Sequence, residues 1–484
     1  MLVILSWVHY FTEKTIDPVS GNFQIAAISP QTIIHNPDRI HNALTWIWGR
    51  DPHAVRAVNY ILERITTPAH QLTPQSSRIV QDIRHVVNFG LTYSQHIHLV
   101  DTSLLKLVYN ILGFEEDIVS LLWFERPQTY LILLQNTTEK RPNGWFFGSF
   151  AVVRIWRGQI LSLDIQDSYL PLYHAPHVVL DGPRWLESFL PHSDIHFVSA
   201  NKIGFTYPDG GHIKQLYEKA FIGQRVRGVV FLRTDMFVEL LPSFQYQQRE
   251  RQFVNAATDM IRGTDGFGKK EIYQRDLSLF LQEQAPRIVA AFLSQGKELI
   301  QQRYINVYLD NISGSFHTFL RTNRLTTRYE ADTLYARDSN VSFNKIDEFV
   351  DKTIRVRHND QLIYQGSEDI IHDMDRGPGT YEMHITYHLY VPETYKSFIR
   401  SLEEEYEVTL TERELHILWL TPQRDNRGIV YLPPGSRIYD VRNDEWHLYD
   451  QSVFKTPFSH AVSYKLYLPD NDLSSTIVLQ RELE

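Results

Sequence analysis

Residues 141–169, RPNGWFFGSFAVVRIWRGQILSLDIQDSY, collect residue types that handle anions and that turn chains. Arg141, Asn143 and Gly144 precede Phe146, Gly148 and Ser149, and an alternating apolar run then ends on Gln166, Asp167, Ser168 and Tyr169. Glycines at 144 and 148 permit positive φ and a close backbone approach, which suits a phosphate-cradling loop and a plain tight turn alike. Asn143-Gly144 is by itself a common turn dipeptide. Asp167 either faces a ligand or caps the turn after a strand. Both readings stay open on the residues alone.

Other chemistries find less support. His174, His177, His192, His196 and His212 could supply imidazoles to zinc, but no HExxH or comparable spacing accompanies them. The chain has no cysteine, so thiolate metal sites, disulfides and a cysteine nucleophile are excluded. No Gly-x-Ser-x-Gly elbow, Walker loop or dinucleotide fingerprint occurs. The glycine-rich RGTDGFGKK lacks a strand before it and a helix after it.

The elements that would position residues 141–169 follow from periodicity. TYLILLQN is a short continuous apolar run, the pattern of a strand buried on both faces. SFAVVRIW and ILSLDI flank Arg157-Gly158 as a hairpin. Going out along 129–136, back along 149–156 and out along 160–166 brings the 141–149 loop and Asp167 to one edge of a sheet. Arg141 would there balance Asp167, as a structural ion pair or as the rim of a cleft with Phe146, Phe147 and Tyr169.

Helical spacing runs through residues 40–125, in Ala43 to Leu62, Ile79 to Val87 and Leu104 to Leu112. GHIKQLYEKAF and MFVELL are helices on either side of a VRGVVFL strand. RDLSLFLQEQAPRIVAAFLSQGKELIQQ is a long amphipathic helix kinked at Pro286; RYINVYL is a strand and SFHTFLRTNRL a helix. From about residue 329 the period becomes two: YEMHITYHLY sets Tyr381, Met383, Ile385 and Tyr387 against Glu382, His384, Thr386 and His388. The expected fold is an α/β mixed-sheet core over 126–328, an N-terminal helical region over 1–125 and a C-terminal antiparallel β-sandwich over 329–484, interrupted by a helix in ETYKSFIRSLEEEYEV.

With 484 residues, 43% hydrophobic and 22% charged, the composition is globular. A net charge of −9 gives no basic footprint, so nucleic acid is not expected as a partner. MLVILSWVHYF is shorter than the roughly 20 apolar residues that span a bilayer. It reads as a buried first element or as the remnant of a membrane anchor.

YLILLQNTTEKRPNGWFFGSFAVVRIWRGQILSLDIQDSY resembles the signature of a bacterial family, the domain of unknown function numbered four thousand and twelve. Gln135, Asn136, Glu139, Arg141, Gly144, Phe146, Gly148, Ser149 and Asp167 carry the resemblance in order. RGVVFLRTDMFVELL, DSNVSFNKIDEFVDKTIRVRHND, VYLPPGSRI and SYKLYLP resemble later blocks, extending the likeness over about 125–484. The family is similar, more remotely, to the LytR-CpsA-Psr enzymes, which move glycopolymers from a polyprenyl pyrophosphate carrier onto peptidoglycan outside the cytoplasmic membrane. ANKIGFTYPDGG resembles their later lysine and glycine pair. Three departures stand out: Gln166 replaces the arginine expected before Asp167, Trp145 replaces a second glycine, and Phe147 or Gly148 replaces an acidic residue of the loop that would help hold a metal or phosphate.

The resemblance implies cationic donors for pyrophosphate in Arg141, Arg154, Lys202 and Arg233. It implies Mg²⁺, if the chain is an enzyme, held by Asp164 and Asp167, with Arg141 and Asp167 nearest the chemistry. Asn143, Gly144, Phe146, Gly148, Ser149 and Tyr169 complete the expected ligand-binding set. It also implies a place on the extracytoplasmic face of the membrane or in the cell envelope, with an N-terminal anchor and an envelope polymer or polyprenyl-linked glycan as partner. Two functions follow. In one, the protein binds such a ligand without catalysis; in the other, it is a phosphotransferase. Gln166 favours the first, because a neutral amide does not stabilise a leaving pyrophosphate.

Overall fold

The computed structural model describes residues 14–16, 23–25, 77–97, 102–122, 126–157, 159–182, 194–240, 299–300, 303–327, 334–340, 350–367, 370–371 and 379–405. It also describes scattered positions in 52–63 and 407–410, and strands at 424–431, 436–443, 448–455, 460–468 and 474–483. The expected apolar N-terminal run, most of residues 40–76, RGTDGFGKK, His192 and nearly all of the 275–302 helix lie outside the described residues.

The chain is mixed α/β. Two short strands, β1 (Lys14–Ile16) and β2 (Phe23–Ile25), pair antiparallel within a region expected to be helical. Helices α1 (Ser77–Ile97), α2 (Thr102–Ile111) and α3 (Glu115–Leu122) then realise the helical spacing read there. Among the described residues no helix is long and apolar enough to cross a membrane.

The core is a five-stranded mixed sheet in the order β5-β4-β3-β6-β7. β3 (Gln128–Arg141), β4 (Gly144–Trp156) and β5 (Gln159–Asp167) form an antiparallel meander. Helices α4 (Leu170–His174) and α5 (Thr206–Ala220) lead to β6 (Val226–Arg233), which lies parallel to β3. Helix α6 (Asp235–Leu240) follows, and β7 (Ile305–Leu309) closes the far edge antiparallel to β6. β3, β5 and β6 therefore run the same way, and their C-terminal ends share one edge.

Both faces of the sheet are covered, as the continuous apolar run of β3 requires. On one face Leu131, Leu133, Phe150, Val229 and Phe231 pack with Phe197, Ile213, Leu216 and Tyr217. On the other, Val307 and Leu309 of β7 pack with Leu104, Ile118 and Leu121 of the N-terminal helices. Phe316 and Leu320 of α7 (Gly314–Thr322) join this second layer. The Tyr130 hydroxyl donates to the Leu121 carbonyl and so ties β3 to α3.

Among the described residues beyond α7, ten strands form two separate five-stranded sheets, β10-β9-β12-β17-β14 and β11-β8-β13-β16-β15, with every pairing antiparallel. These are β8 (Leu334–Asn340), β9 (Val350–His358), β10 (Gln361–Gly366), β11 (Ile370–Ile371), β12 (Gly379–Leu389), β13 (Arg424–Tyr431), β14 (Ser436–Asn443), β15 (Leu448–Lys455), β16 (His460–Leu468) and β17 (Ser474–Leu483). In β12 Tyr381, Met383, Ile385 and Tyr387 are buried and the alternate residues half-buried, as the period of two requires. Helix α8 (Glu393–Glu405) interrupts the strands and buries Tyr395, Ile399 and Leu402.

Candidate functional site at the C-terminal edge of the mixed sheet

The 141–149 segment is not a loop. β3 runs on to Arg141 and β4 begins at Gly144, which leaves Pro142 and Asn143 as a two-residue turn. Irregular pairing around Gln135 and Asn136 absorbs the extra residues 137–139. The cause is a side-chain clamp. The Gln135 amide donates to the carbonyls of Asn143 at 2.9 Å and Trp145 at 3.2 Å. Asn201 reaches the same two carbonyls, at 3.4 and 2.9 Å, and its own carbonyl accepts from the Asn143 N–H. Gly144 has φ +86, and a Cβ there would stand 2.9 Å from the Gln135 amide, so the turn needs glycine. The expected tight turn is therefore the Pro142-Asn143 turn, with Gly144 closing it.

Gly148 sits opposite no β3 residue, since Gln135 pairs Phe147 and Leu134 pairs Ser149. Its carbonyl accepts from the Ser168 N–H at 3.1 Å, which fastens the end of β5 to the start of β4. Phe147 is 0% exposed in the core against Phe197, so it lines no cleft. Phe146 lies instead beneath Arg141, with 5.3 Å from guanidinium to ring centroid.

Arg141 pairs with Glu139, two residues back on the same strand; both side chains are largely buried. Asp167 pairs in register with Ser149, and its Oδ1 accepts from the Tyr169 N–H at 2.8 Å. That is the turn-capping role of Asp167. Tyr169 stacks on Tyr173 at 6.1 Å between centroids. Burial first, then the Glu139 carboxylate, Tyr173 and Asp167, hold the Tyr169 phenol above the ordinary tyrosine range, while Arg141 draws it down. Arg141 and Asp167 thus both act on one phenol at one edge.

Lys202 joins them. Its Nζ donates to the Asp194 carbonyl at 2.7 Å. Burial and the Arg141 charge lower its ammonium from 10.5 to about 8, with Asp194 opposing them. The loop that carries Lys202 is held from behind by Asp209, which is 0% exposed. The Asp209 carboxylate accepts from the backbone N–H groups of Ile203 at 3.0 Å and Gly204 at 3.1 Å. This explains why α5 begins at Thr206, before the expected Gly211: Pro208 falls in the first turn, where a missing N–H costs nothing.

Arg233, at the end of β6, pairs with Asp235 and lies 4.4 Å over the Tyr304 ring and 6.0 Å from the Trp145 ring. Thr234 donates from N–H and hydroxyl to the Gln135 carbonyl, each at 2.9 Å. Arg154 is elsewhere: it pairs with Thr129 and Ser162 toward the opposite end of β4 and is exposed. Asp164 is exposed too, pairs in register with Val152, and accepts from the Gln166 amide at 2.7 Å. Arg154 and Asp164 both act on Tyr217. Among the described residues no group of three His, Asp or Glu side chains is arranged to hold a metal ion.

Sequence reasoning passed over Glu139, Gln135 and Asn201 as site residues. The two-residue spacing of Glu139 and Arg141 on one strand face was a readable signal. Nothing local could join Asn201 to Asn143, 58 positions away.

The model of a family described as "Protein of unknown function (DUF4012)" matches residues 125–245. The family resemblance is thus shown over β3 to β6 and the helices between them, and the blocks beyond 245 rest on their residues alone. No curated protein and no solved structure matches the chain.

Proposed function

We propose that this protein is a non-catalytic cell-envelope protein that binds a pyrophosphate-bearing, polyprenyl-linked glycan at the C-terminal edge of its mixed sheet. One observation carries the reading: Lys202, bonded to the Asp194 carbonyl, and Arg141, paired with Glu139, both stand half-buried near where β3, β5 and β6 end, and the Arg141 charge reaches the Lys202 ammonium. Burial makes the Lys202 ammonium costly in the apo protein, and an anion beside it removes the cost. The edge outside the carboxyl ends of parallel strands is also where open α/β sheets bind their ligands.

The absence of catalysis is argued from Gln166 and Asp167. The Gln166 amide is turned to Asp164, and Asp167 caps its own turn. Neither is a fixed cation or a ready base. In this reading the core is a LytR-CpsA-Psr-like sheet without its reaction, the two C-terminal sheets face each other as a sandwich, and the protein works outside the cytoplasmic membrane behind an N-terminal anchor.

The test is native mass spectrometry of the full chain with a polyprenyl pyrophosphate and, separately, with inorganic pyrophosphate. A one-to-one adduct is expected, weakened about 10- to 100-fold by Arg141→Ala or Lys202→Met, the loss of one charge-assisted contact each. Equal retention by both variants would overturn the site, and no retention of either probe would overturn the ligand class. Turnover of the bound carrier, with release of the polyprenyl phosphate, would establish the phosphotransferase instead.

A further inference from the structure

We infer that the outer edge of β5 is a self-association surface, at which a second copy of this chain adds its own β5 antiparallel across a two-fold axis. Of the eight large hydrophobic residues exposed among the described positions, five cluster here: Ile160, Leu161 and Leu163 on β5, Leu170 and Tyr173 just after it. The three on the strand are 43–48% exposed. β5 is the terminal strand of its sheet, and among the described residues no other strand pairs with its outer side. Sheet edges that stay monomeric are usually guarded by lysine, proline or an inward charge. Gln159–Leu163 has none of these, and a β-bulge at Leu161 is its one irregularity in the pairing with β4.

The occupant is argued from self-complementarity. A two-fold axis normal to the sheet pairs residues of equal parity, and full overlap of Gln159–Asp167 centres it on Leu163. Leu163 then meets Leu163 of the second copy, and Leu161 meets Ile165. On the other face Ser162 meets Asp164, so no like charges are opposed; the bulge at Leu161 in the β4–β5 pairing turns Ile160 to the Leu163 face. The strand is also charged oppositely at its ends, with Arg157 just before it and Asp167 closing it. Antiparallel pairing brings the strand end of each copy that carries Arg157 to the strand end of the other that carries Asp167 and Tyr169. An unrelated extended peptide would match neither the apolar pairs nor the end charges. The partner copy thereby contributes a cation to the edge that carries Asp167 and Tyr169, and the result stands whether or not the ligand reading does.

Sedimentation equilibrium of the full chain should give twice 56.8 kDa at concentrations up to about 0.1 mM, the weak end of specific association. Leu161→Lys/Leu163→Lys should weaken association at least about a hundredfold by opposing like charges across the axis. Because the chain has no cysteine, Leu163→Cys with a short bis-maleimide should yield a covalent dimer. Leu362→Cys, 50% exposed on β10 of another sheet, should not. Arg157→Glu should loosen the dimer, and Arg157→Glu/Asp167→Lys should restore it. A monomer throughout the concentration range would overturn the inference. So would a dimer that survives the double lysine change, or one that does not cross-link at 163; the cross-link needs only one exposed substitution and holds even if the lysine variant folds poorly.

Discussion

Replacing Lys202 by methionine should stabilise the unliganded protein near neutral pH while weakening its hold on an anion. The Lys202 ammonium is lowered from 10.5 to about 8 by burial and by Arg141. A displacement of that size corresponds to roughly 3 kcal/mol working against the charged form at neutral pH. Methionine removes that burden and keeps the apolar stem, but it loses the bond from Nζ to the Asp194 carbonyl, about 1–1.5 kcal/mol. The net expectation at pH 7 is a gain of about 1–2 kcal/mol. Its pH dependence is fixed by linkage. The folded value lies below the unfolded one, so the unfolded chain binds more protons between about 8 and 10.5, and wild-type stability rises with pH across that window. The advantage of Lys202→Met should be full below pH 8 and should shrink, then reverse, toward pH 10. Urea unfolding of both proteins from pH 6.5 to 10, with hydrogen exchange over residues 197–216 to localise the effect, measures it. A variant less stable than wild type by the same amount at pH 7 and pH 10 would refute the reasoning, since Lys202 would then be a structural hydrogen-bond donor and not a strained cation.

Two further changes probe what holds the site in place. Gly210→Ala puts a Cβ 2.3 Å from the Tyr308 Cβ, an overpacking cost of about 1–3 kcal/mol that the helical gain of about 1 kcal/mol only partly offsets; a lowered urea midpoint is expected, and an unchanged one would show that α5 can move off β7 freely. Asp209→Asn leaves one of the Ile203 and Gly204 N–H groups facing an amide instead of a carboxylate, a loss of about 1–3 kcal/mol; faster exchange at 201–204 should accompany it, and protection unchanged there would deny Asp209 its hold on the Lys202 loop.

The regular elements were legible because each obeys one simple period. TYLILLQN has no polar face, so β3 had to be covered on both sides, and Leu133 and Leu134, on opposite faces, are 0% and 6% exposed. YEMHITYHLY alternates strictly, and β12 alternates in burial. The end of the β3–β4 hairpin was not legible in the same way. A Gln, an Asn and two glycines near an arginine are compatible with a ligand loop and with a turn, and the choice is made by Gln135 and Asn201 gripping the Asn143 and Trp145 carbonyls. Such side-chain clamps depend on residues far apart in the chain and leave no period behind. Placing Arg154 with the other cations failed for a related reason. Charge type is visible in a sequence, but the end of a strand at which a charge stands depends on register, and Arg154 pairs with Thr129 near the start of β3.

The polar residues at the strand ends divide into two sets by burial. Gln135, Asn143, Asn201, Asp209 and Thr234 are buried, and most of their hydrogen bonds go to backbone. Arg141, Asp167, Tyr169, Lys202 and Arg233 are half-buried and carry the charge or the phenol. In the first set, Gln135 and Asn201 hold the segment 141–145, Asp209 holds 201–204, and Thr234 fastens 233–235 to β3. The second set rides on those segments or on the adjoining end of β5. A constellation held this way loses little further freedom when a ligand arrives, which lowers the ordering cost of binding. On the proposed reading the buried Gln135, Asn201 and Asp209 side chains act indirectly: they fix the segments that carry Arg141 and Lys202.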